Sequence, residues 1–515
     1  MTDLVLQQSG QQSVPPLRAL AQRLLSRAAG ADLVPGNSIR LLRDAAENYP
    51  AWLDAIRTAR QRIHFETYVI HEDEAGREFA EALSAKAREG VKVRLIYDWL
   101  GAFRKTSRRF WQRLREAGVE VRCFNPPRLE SPLGWVTRDH RKMLSVDGRV
   151  AFVTGLCVGR MWVGDAMRKL DPWRDTGIEL RGPAVADVDM AFAQAWEVTG
   201  PSLPADELPG RETISPAGDV RLRVIASVPN TAGLYRLDHL IAAMARSSLW
   251  LTDAYFVGIT PYVQALRAAA QDGVDVRLLV PGSTDIPVLR AISRAGYQPL
   301  LEAGVRVFEW NGSMIHAKSA VADSRWARVG STNLNIASWM GNYELDVAVE
   351  NDTFGRAMEE MYLDDLEHAT EIVLGKKQRV VPARRRRRPR RLKPGGGSVS
   401  RAGASAIRIS NTVGAAFTNH RVLGPAEARI TNVAGLALVV FALIALFFPR
   451  WVAVPLALFS GWLGVSLFVR AVRLRSKGRR EMEGPGDEAD RKASGESGAV
   501  SRNEIEQSGG TRGGT

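Results

Sequence analysis

Between residues 40 and 375 the apolar positions switch repeatedly between two periods. Patterns with three- and four-residue spacing, as one helix face requires, alternate with short apolar runs of strand character. Residues 51–62 read as helix and 63–70 as strand. Residues 76–89 read as an amphipathic helix, 90–98 as a strand, and 108–117 as a helix running into a strand at 118–122. A loop with Pro126, Pro127 and Pro132 follows. This is α/β alternation.

The succession then recurs. Residues 240–248 read as helix and 249–255 as strand. The segment 272–279 (DGVDVRLL) matches 89–96 (EGVKVRLI), and 302–307 (EAGVRV) matches 116–121 (EAGVEV). Landmarks in the same order mean an internal duplication, with a period far too long for a solenoid. The repeats are placed at 40–205 and 206–375, behind a partly ordered leader at 1–39. Two copies imply a pseudo-twofold arrangement.

One tract matters more than the rest. Residues 139–148 read DHRKMLSVDG, and the spelling H-x-K-x4-D returns at His316, Lys318 and Asp323, 176 residues after His140, Lys142 and Asp147. Each copy reads as a strand, so the histidine and the lysine two residues on share a face. Imidazole beside a fixed ammonium suits phosphoryl transfer. The ring attacks phosphorus or protonates the leaving oxygen, and the cation neutralises charge on the phosphate oxygens.

Beyond residue 375 the character changes. The net charge of +14 is concentrated there: residues 376–393 hold 11 Lys or Arg and no acid, including five consecutive arginines. This begins a basic linker, 376–430. A hairpin of two membrane-spanning helices is expected at 431–470, where charge-free apolar runs of 16 and 19 residues flank Pro449 and Arg450. Arg421 and Arg429 before it and Arg470, Arg473 and Arg475 after it place both ends in the cytoplasm by the positive-inside rule. A buried hairpin of a soluble domain is the alternative. The arginine run fits anionic headgroups, at about 1 kcal/mol per residue near the surface; a solvated linker and a nucleic-acid contact compete with that reading. Residues 471–515 are expected to be disordered. No apolar run follows Met1, so no signal peptide is expected. Two cysteines, Cys123 and Cys157, imply no disulfide framework.

The doubled motif resembles the phospholipase D superfamily, and the likeness extends past it. Gly330, Ser331, Asn333, Asn342 and Glu344 resemble the family's G-S-x-N and N-x-E continuation. Trp173, Arg174 and Asp175 resemble the W-R-D segment of bacterial cardiolipin synthases, and Tyr255-Phe256 fits the same group. The resemblance covers roughly residues 40–370. It implies two tandem phospholipase D-type α/β-sandwich domains related by pseudo-twofold symmetry, here followed by the transmembrane hairpin. It also implies a two-step displacement through a phosphohistidine, one histidine attacking and the other serving as acid and base. His140 is assigned as nucleophile and His316 as acid and base, although the sequence does not break the symmetry between them. Lys142, Lys318, Ser331 and Asn333 would bind the substrate phosphate. Asp175 and Glu344 would each orient a histidine. Asp147 and Asp323 complete the catalytic motif, although a place at the strand's far end before a turn suits a structural role. No metal or other cofactor is called for: the lysines do the charge work, and no His/Cys/Asp cluster has ligand spacing.

Two departures stand out. The count that leads from His316 to Asn333 leads from His140 to Cys157, a weak donor. The apolar helices lie at the C-terminus, whereas many bacterial cardiolipin synthases carry theirs at the N-terminus. The reading is a phosphatidyltransferase at the bacterial inner membrane with its catalytic domains cytoplasmic. Its partners would be the membrane and anionic phospholipids, phosphatidylglycerol first, and it would make cardiolipin. A phospholipase D-type hydrolase or nuclease would share the motifs but need no anchor. A non-enzymatic membrane scaffold would not need both His/Lys pairs intact.

Overall fold

The computed structural model describes residues 16–127, 137–168, 170–375 and 380–382, together with isolated positions between 439 and 468. The chain divides into two units, residues 1–126 with 136–432, and residues 127–135 with 433–515. In the second unit the described positions of 439–468 are helical, and apolar ones such as Leu446, Phe447, Leu458 and Phe468 are exposed. Among the described residues no helix is long and apolar enough to cross a membrane. The expected hairpin, the arginine run and the tail lie largely outside the described residues, as does Pro132.

In the first unit the leading half comprises α1 (Pro16–Ala29), β1 (Val34–Arg43), α2 (Asp44–Thr58), β2 (Arg62–Thr67), α3 (Glu74–Arg88), β3 (Lys92–Asp98), α4 (Trp99–Ala102), α5 (Arg108–Glu116), β4 (Glu120–Phe124), β5 (Met143–Val146), β6 (Val150–Thr154), α6 (Arg160–Val163), β7 (Thr176–Arg181) and α7 (Val185–Thr199). The second half comprises β8 (Val220–Ser227), α8 (Gly233–Met244), β9 (Ser248–Thr252), α9 (Thr260–Gln271), β10 (Asp275–Pro281), α10 (Pro287–Ala295), α11 (Tyr297–Glu302), β11 (Arg306–Trp310), β12 (Ser319–Ala322), β13 (Trp326–Gly330), α12 (Ile336–Met340), β14 (Glu344–Glu350), α13 (Asp352–Glu367) and β15 (Ala369–Leu374), with β16 (Val380–Pro382) at the edge.

These strands form one mixed sheet. Its seam is the antiparallel pair β1 and β8, which meet at Val34 with Leu222 and at Asn37 with Val220. Outward from β1 the order is β7, β6, β5, β2, β3, β4; outward from β8 it is β14, β13, β12, β9, β10, β11. The two orders correspond strand for strand. In both halves the last three strands run parallel, as helical crossovers require. One core cluster runs through both halves and takes in α7 and α13. A second packs α2, α3 and α5 on the first half, and a third packs α8, α9 and α11 on the second.

Two local readings change. The leader does not end at residue 39. Leu25 and Ala29 of α1 are buried in the second half's core with Leu234 and Leu237, and β1 forms half of the seam. Nor is each motif a strand throughout. β5 and β12 begin three residues after the histidines. The preceding His-x-Lys segments are extended but stand outside the ladder, because each histidine's amide is engaged by the opposite half: His140 N donates to Tyr343 O (2.9 Å) and His316 N to Arg174 O (2.7 Å).

Asp147 and Asp323 close the far ends of β5 and β12 in the left-handed conformation (φ 55° and 52°), which Asp tolerates better than most residues. Asp147 accepts from the amides of Arg60, Gln61 and Arg62 at 2.8–2.9 Å. Asp323 accepts from Arg246, Ser247 and Ser248. Each therefore pins the entry of the neighbouring strand, β2 or β9, and stands at the opposite end of its own strand from the histidine. Asp323→Ala is expected to lower the free energy of unfolding by about 2 kcal/mol while kcat of the folded fraction stays within about twofold. Thermal denaturation in detergent alongside turnover measures both. A large kcat loss at unchanged stability would make the residue chemical.

Candidate active site

The sheet order brings the two motifs together through reciprocal backbone bridges. Asp139 bridges to Tyr343, and Ile315 bridges to Arg174. Tyr343 N donates to Arg138 O (2.8 Å), as Arg174 N does to Met314 O (2.9 Å). The residues after Tyr343 and Arg174 are Glu344 and Asp175, so each bridge carries a carboxylate to the other half's histidine. His140 Nδ1 lies 2.9 and 3.1 Å from the Glu344 carboxylate oxygens. His316 Nδ1 lies 2.8 Å from Asp175 Oδ2. Both carboxylates are fully buried.

Burial lowers the pKa of both imidazoles. It holds His140 below its usual value against the attraction of Glu344. It holds His316 at about 4, with the Lys318 ammonium adding to the effect. Burial would raise the two carboxyls, but the facing histidine and nearby lysine outweigh it, and both stay below the usual carboxylate range. At neutral pH each ring is thus neutral. Nδ1–H donates to the carboxylate, which leaves the Nε2 lone pair free for phosphorus or a proton.

The lysines stand beside these rings. Lys142 Nζ donates to His140 O (2.6 Å). Lys318 Nζ donates to His316 O and lies 3.0 Å from the ring nitrogens. Burial brings Lys318 down to about 8, against the attraction of Asp175. A tyrosine ring faces each pair: Tyr68 lies 5.3 Å from His140 and 5.5 Å from Lys142 Nζ, and Tyr255 lies 5.9 Å from both His316 and Lys318 Nζ. Among the described residues no group of three potential metal ligands stands together.

The halves differ in how each carboxylate is held. Ser331 Oγ donates to Glu344 Oε2 (2.6 Å) and Asn342 to Oε1 (3.2 Å). Ser331 therefore positions a carboxylate rather than reaching for phosphate. At the matching place in the first half stands Gly155, where a Cβ would fall 2.1 Å from Asp175 Oδ1, so no serine fits. Trp162 of α6 supplies the missing donor. Its Nε1 donates to Asp175 Oδ2 (3.1 Å), and its ring meets His316 edge-on at 5.7 Å. No motif or spacing marks Trp162 in the sequence. Asn333 is buried with its side-chain oxygen unpartnered. Cys157 is buried and its thiol is pushed up by burial, so it is neither a nucleophile nor a good donor. His64 is held by Asp189 (2.8 Å) and stacked on Phe192, beneath α7. Trp135 lies outside the described residues.

Known proteins carry the same architecture. The family described as "Cardiolipin synthase, PLD-like domain" matches residues 52–159 and 239–365, each segment containing one histidine–lysine motif. The cardiolipin synthase of Alkalihalophilus pseudofirmus is 34% identical over 338 residues, spanning 65% of this chain and 67% of that one. The chain belongs to the PLD-like cardiolipin synthase family. Cardiolipin synthase of Halalkalibacterium halodurans is 33% identical over 68% of this chain and 70% of its own, and cardiolipin synthase A of Pseudomonas fluorescens is 34% identical over 65% and 70%. The solved phosphatidylserine synthase of Haemophilus influenzae shares the fold, with a TM-score of 0.54 at 15% identity over 68% of this chain and 92% of that one.

Within this family site, Trp162→Phe keeps the ring and removes one donor to Asp175. It is expected to lower kcat about tenfold with KM and thermal midpoint unchanged. Unchanged kcat would remove the indole from the positioning set.

Proposed function

We propose that the protein is a membrane-associated phosphatidyltransferase that makes cardiolipin from phosphatidylglycerol and a second phospholipid through a phosphohistidine. The observation that carries this reading is the crossed pair of histidine–carboxylate contacts with a lysine beside each ring. His140, the more accessible ring (13% against 6% for His316), is the nucleophile. Its Nε2 attacks phosphorus, and the bond to the leaving glycerol oxygen breaks as His316 hands that oxygen a proton. His316 then takes the proton of the incoming lipid hydroxyl, whose oxygen displaces His140. Lys142, Lys318 and Asn333 hold the phosphate oxygens throughout.

His316 must carry a proton when substrate is bound, although burial and the Lys318 ammonium hold its pKa at about 4. A phosphodiester that draws the Lys318 ammonium off the ring removes that repulsion, and its own negative charge offsets the cost of burying the imidazolium. The catalytic assignments of Asp147 and Asp323 are not retained, since both serve backbone turns.

The hairpin at residues 431–470 would anchor the enzyme in the bacterial inner membrane with the catalytic domains on the cytoplasmic side. Exposed apolar residues such as Leu446, Phe447 and Phe468 support contact of this segment with a membrane.

The test is expression in a bacterium lacking its own cardiolipin synthases, followed by lipid mass analysis. Cardiolipin is expected with the native chain and at least about a thousandfold less with His140→Ala or His316→Ala. Phosphatidic acid without cardiolipin would make the enzyme a hydrolase, and an unchanged lipid profile would reject the lipid reading.

The pH profile is a second check. The nucleophile must be neutral, so the acid limb of kcat/KM should fall below the usual histidine value of about 6.5. The lysine must be charged, so activity should decline as pH rises through about 8. Lys318→Arg should move that alkaline limb upward; an unmoved limb would exclude Lys318 as its source.

A further inference from the structure

We propose that the rim of the active site is itself a bilayer-docking face, which seats the cleft on an anionic leaflet independently of the C-terminal apolar segment. The inference rests on the lipid-substrate reading above and adds the surface that meets the lipid. Six exposed apolar residues carry it: Leu100, Phe103, Val163, Met167, Ile286 and Ile336, from 40% to 96% exposed.

Each stands on a segment that also builds the site. Leu100 and Phe103 follow Asp98, whose carboxylate accepts from Asp139 N beside His140. Gly101 between them packs against Tyr68, the ring facing His140. Val163 adjoins Trp162, and Met167 lies in the turn closed by the Asp165–Leu170 bridge, just before Trp173. Ile286 adjoins Asp285, which accepts from the Tyr255 hydroxyl (2.8 Å). Ile336 adjoins Asn335, which donates to Tyr255 O (3.0 Å). A soluble substrate gives no reason to expose an apolar side chain on four separate site-building segments. A lipid substrate does, because its acyl chains stay in the membrane while only the headgroup enters the cleft.

The charges on the rim match an anionic leaflet. Arg104, Lys105, Arg108 and Arg109 are exposed beside Phe103, and none has a carboxylate partner among the described residues. Arg168 flanks Met167, and Arg290 follows Ile286. Of the acids nearby, Glu72 is engaged by Ser107 and Arg113, Asp165 by Arg168 and Asp285 by Tyr255, while Asp171 is exposed just beyond the Met167 turn. Apolar side chains on the same rim as the cations at 104–109 fit the headgroup–acyl boundary better than a nucleic-acid backbone, which would select cations without Val, Met and Ile.

The test uses the full chain with Cys123→Ser, in vesicles of equal parts phosphatidylcholine and phosphatidylglycerol. A fluorophore is placed singly by Phe103→Cys, Met167→Cys, Ile336→Cys or Leu363→Cys. Leu363 is an exposed apolar residue of α13, on none of the four rim segments. Lipids brominated in the acyl chain should quench the label at 103, 167 and 336 but not at 363. Quenching at none, or equally at 363, overturns the proposal, as does protection of the rim labels by an oligonucleotide in place of quenching by vesicles.

This readout needs no turnover, so a chain that makes no cardiolipin but is quenched at the rim loses only the functional reading. A chain that makes cardiolipin without rim quenching loses only this one. The double variant Phe103→Ser with Met167→Ser should lower activity on vesicle lipid about tenfold, with activity on monomeric short-chain phosphatidylglycerol unchanged. Equal loss on both substrates overturns the docking role.

Discussion

The site depends on one constraint: each motif histidine is oriented by a carboxylate from the opposite half. Glu344 serves His140 and Asp175 serves His316. Neither motif histidine finds its carboxylate within its own half, so the site exists only while the halves keep their register. The β1–β8 seam sets that register, and the bridges at Tyr343 and Arg174 transmit it to the rings. Because both carboxylates are fully buried, a half that drifted away would leave an uncompensated charge in the interior. The pairing is therefore both the catalytic device and a penalty on misassembly.

Within this near-symmetry the halves use different means to one end. Ser331 holds Glu344, while the indole of Trp162 holds Asp175, because Gly155 leaves no room for a hydroxyl-bearing side chain. The substitution brings a large aromatic wall to the His316 side, where Trp162, Trp173 and Tyr255 all face the ring. His140 meets Tyr68 and is the more accessible. Burial and the close approach of Lys318 then depress His316 to about 4. Two identical motifs thus acquire different environments from residues that belong to neither.

Much of the fold was legible because its signals are local. Strand and helix periods, and the matched segments at 89–96 and 272–279, lie within short windows, and the shared strand order is their consequence. The types of the orienting carboxylates were legible too. Which histidine each one serves was not, because those contacts span 141 and 204 residues and no local period encodes them. Trp162 was invisible for a related reason: its donor role depends on a clash at Gly155 that only the packed structure contains. The docking of α1 was not legible because Leu25 and Ala29 find their partners, Leu234 and Leu237 among them, only in the far half.

The seam has a consequence for what the molecule is. Two structurally equivalent halves meet through equivalent edge strands, share one core, and exchange one orienting residue apiece. Those are the marks of a twofold dimer whose subunits trade parts of their active sites. The peptide linkage between α7 and β8 adds no catalytic group to this arrangement. What it adds is stoichiometry: joining the copies guarantees one of each, frees them to diverge, and lets a serine on one side become a tryptophan on the other. Within one polypeptide the chain thus holds the arrangement of a twofold dimer whose two sides differ.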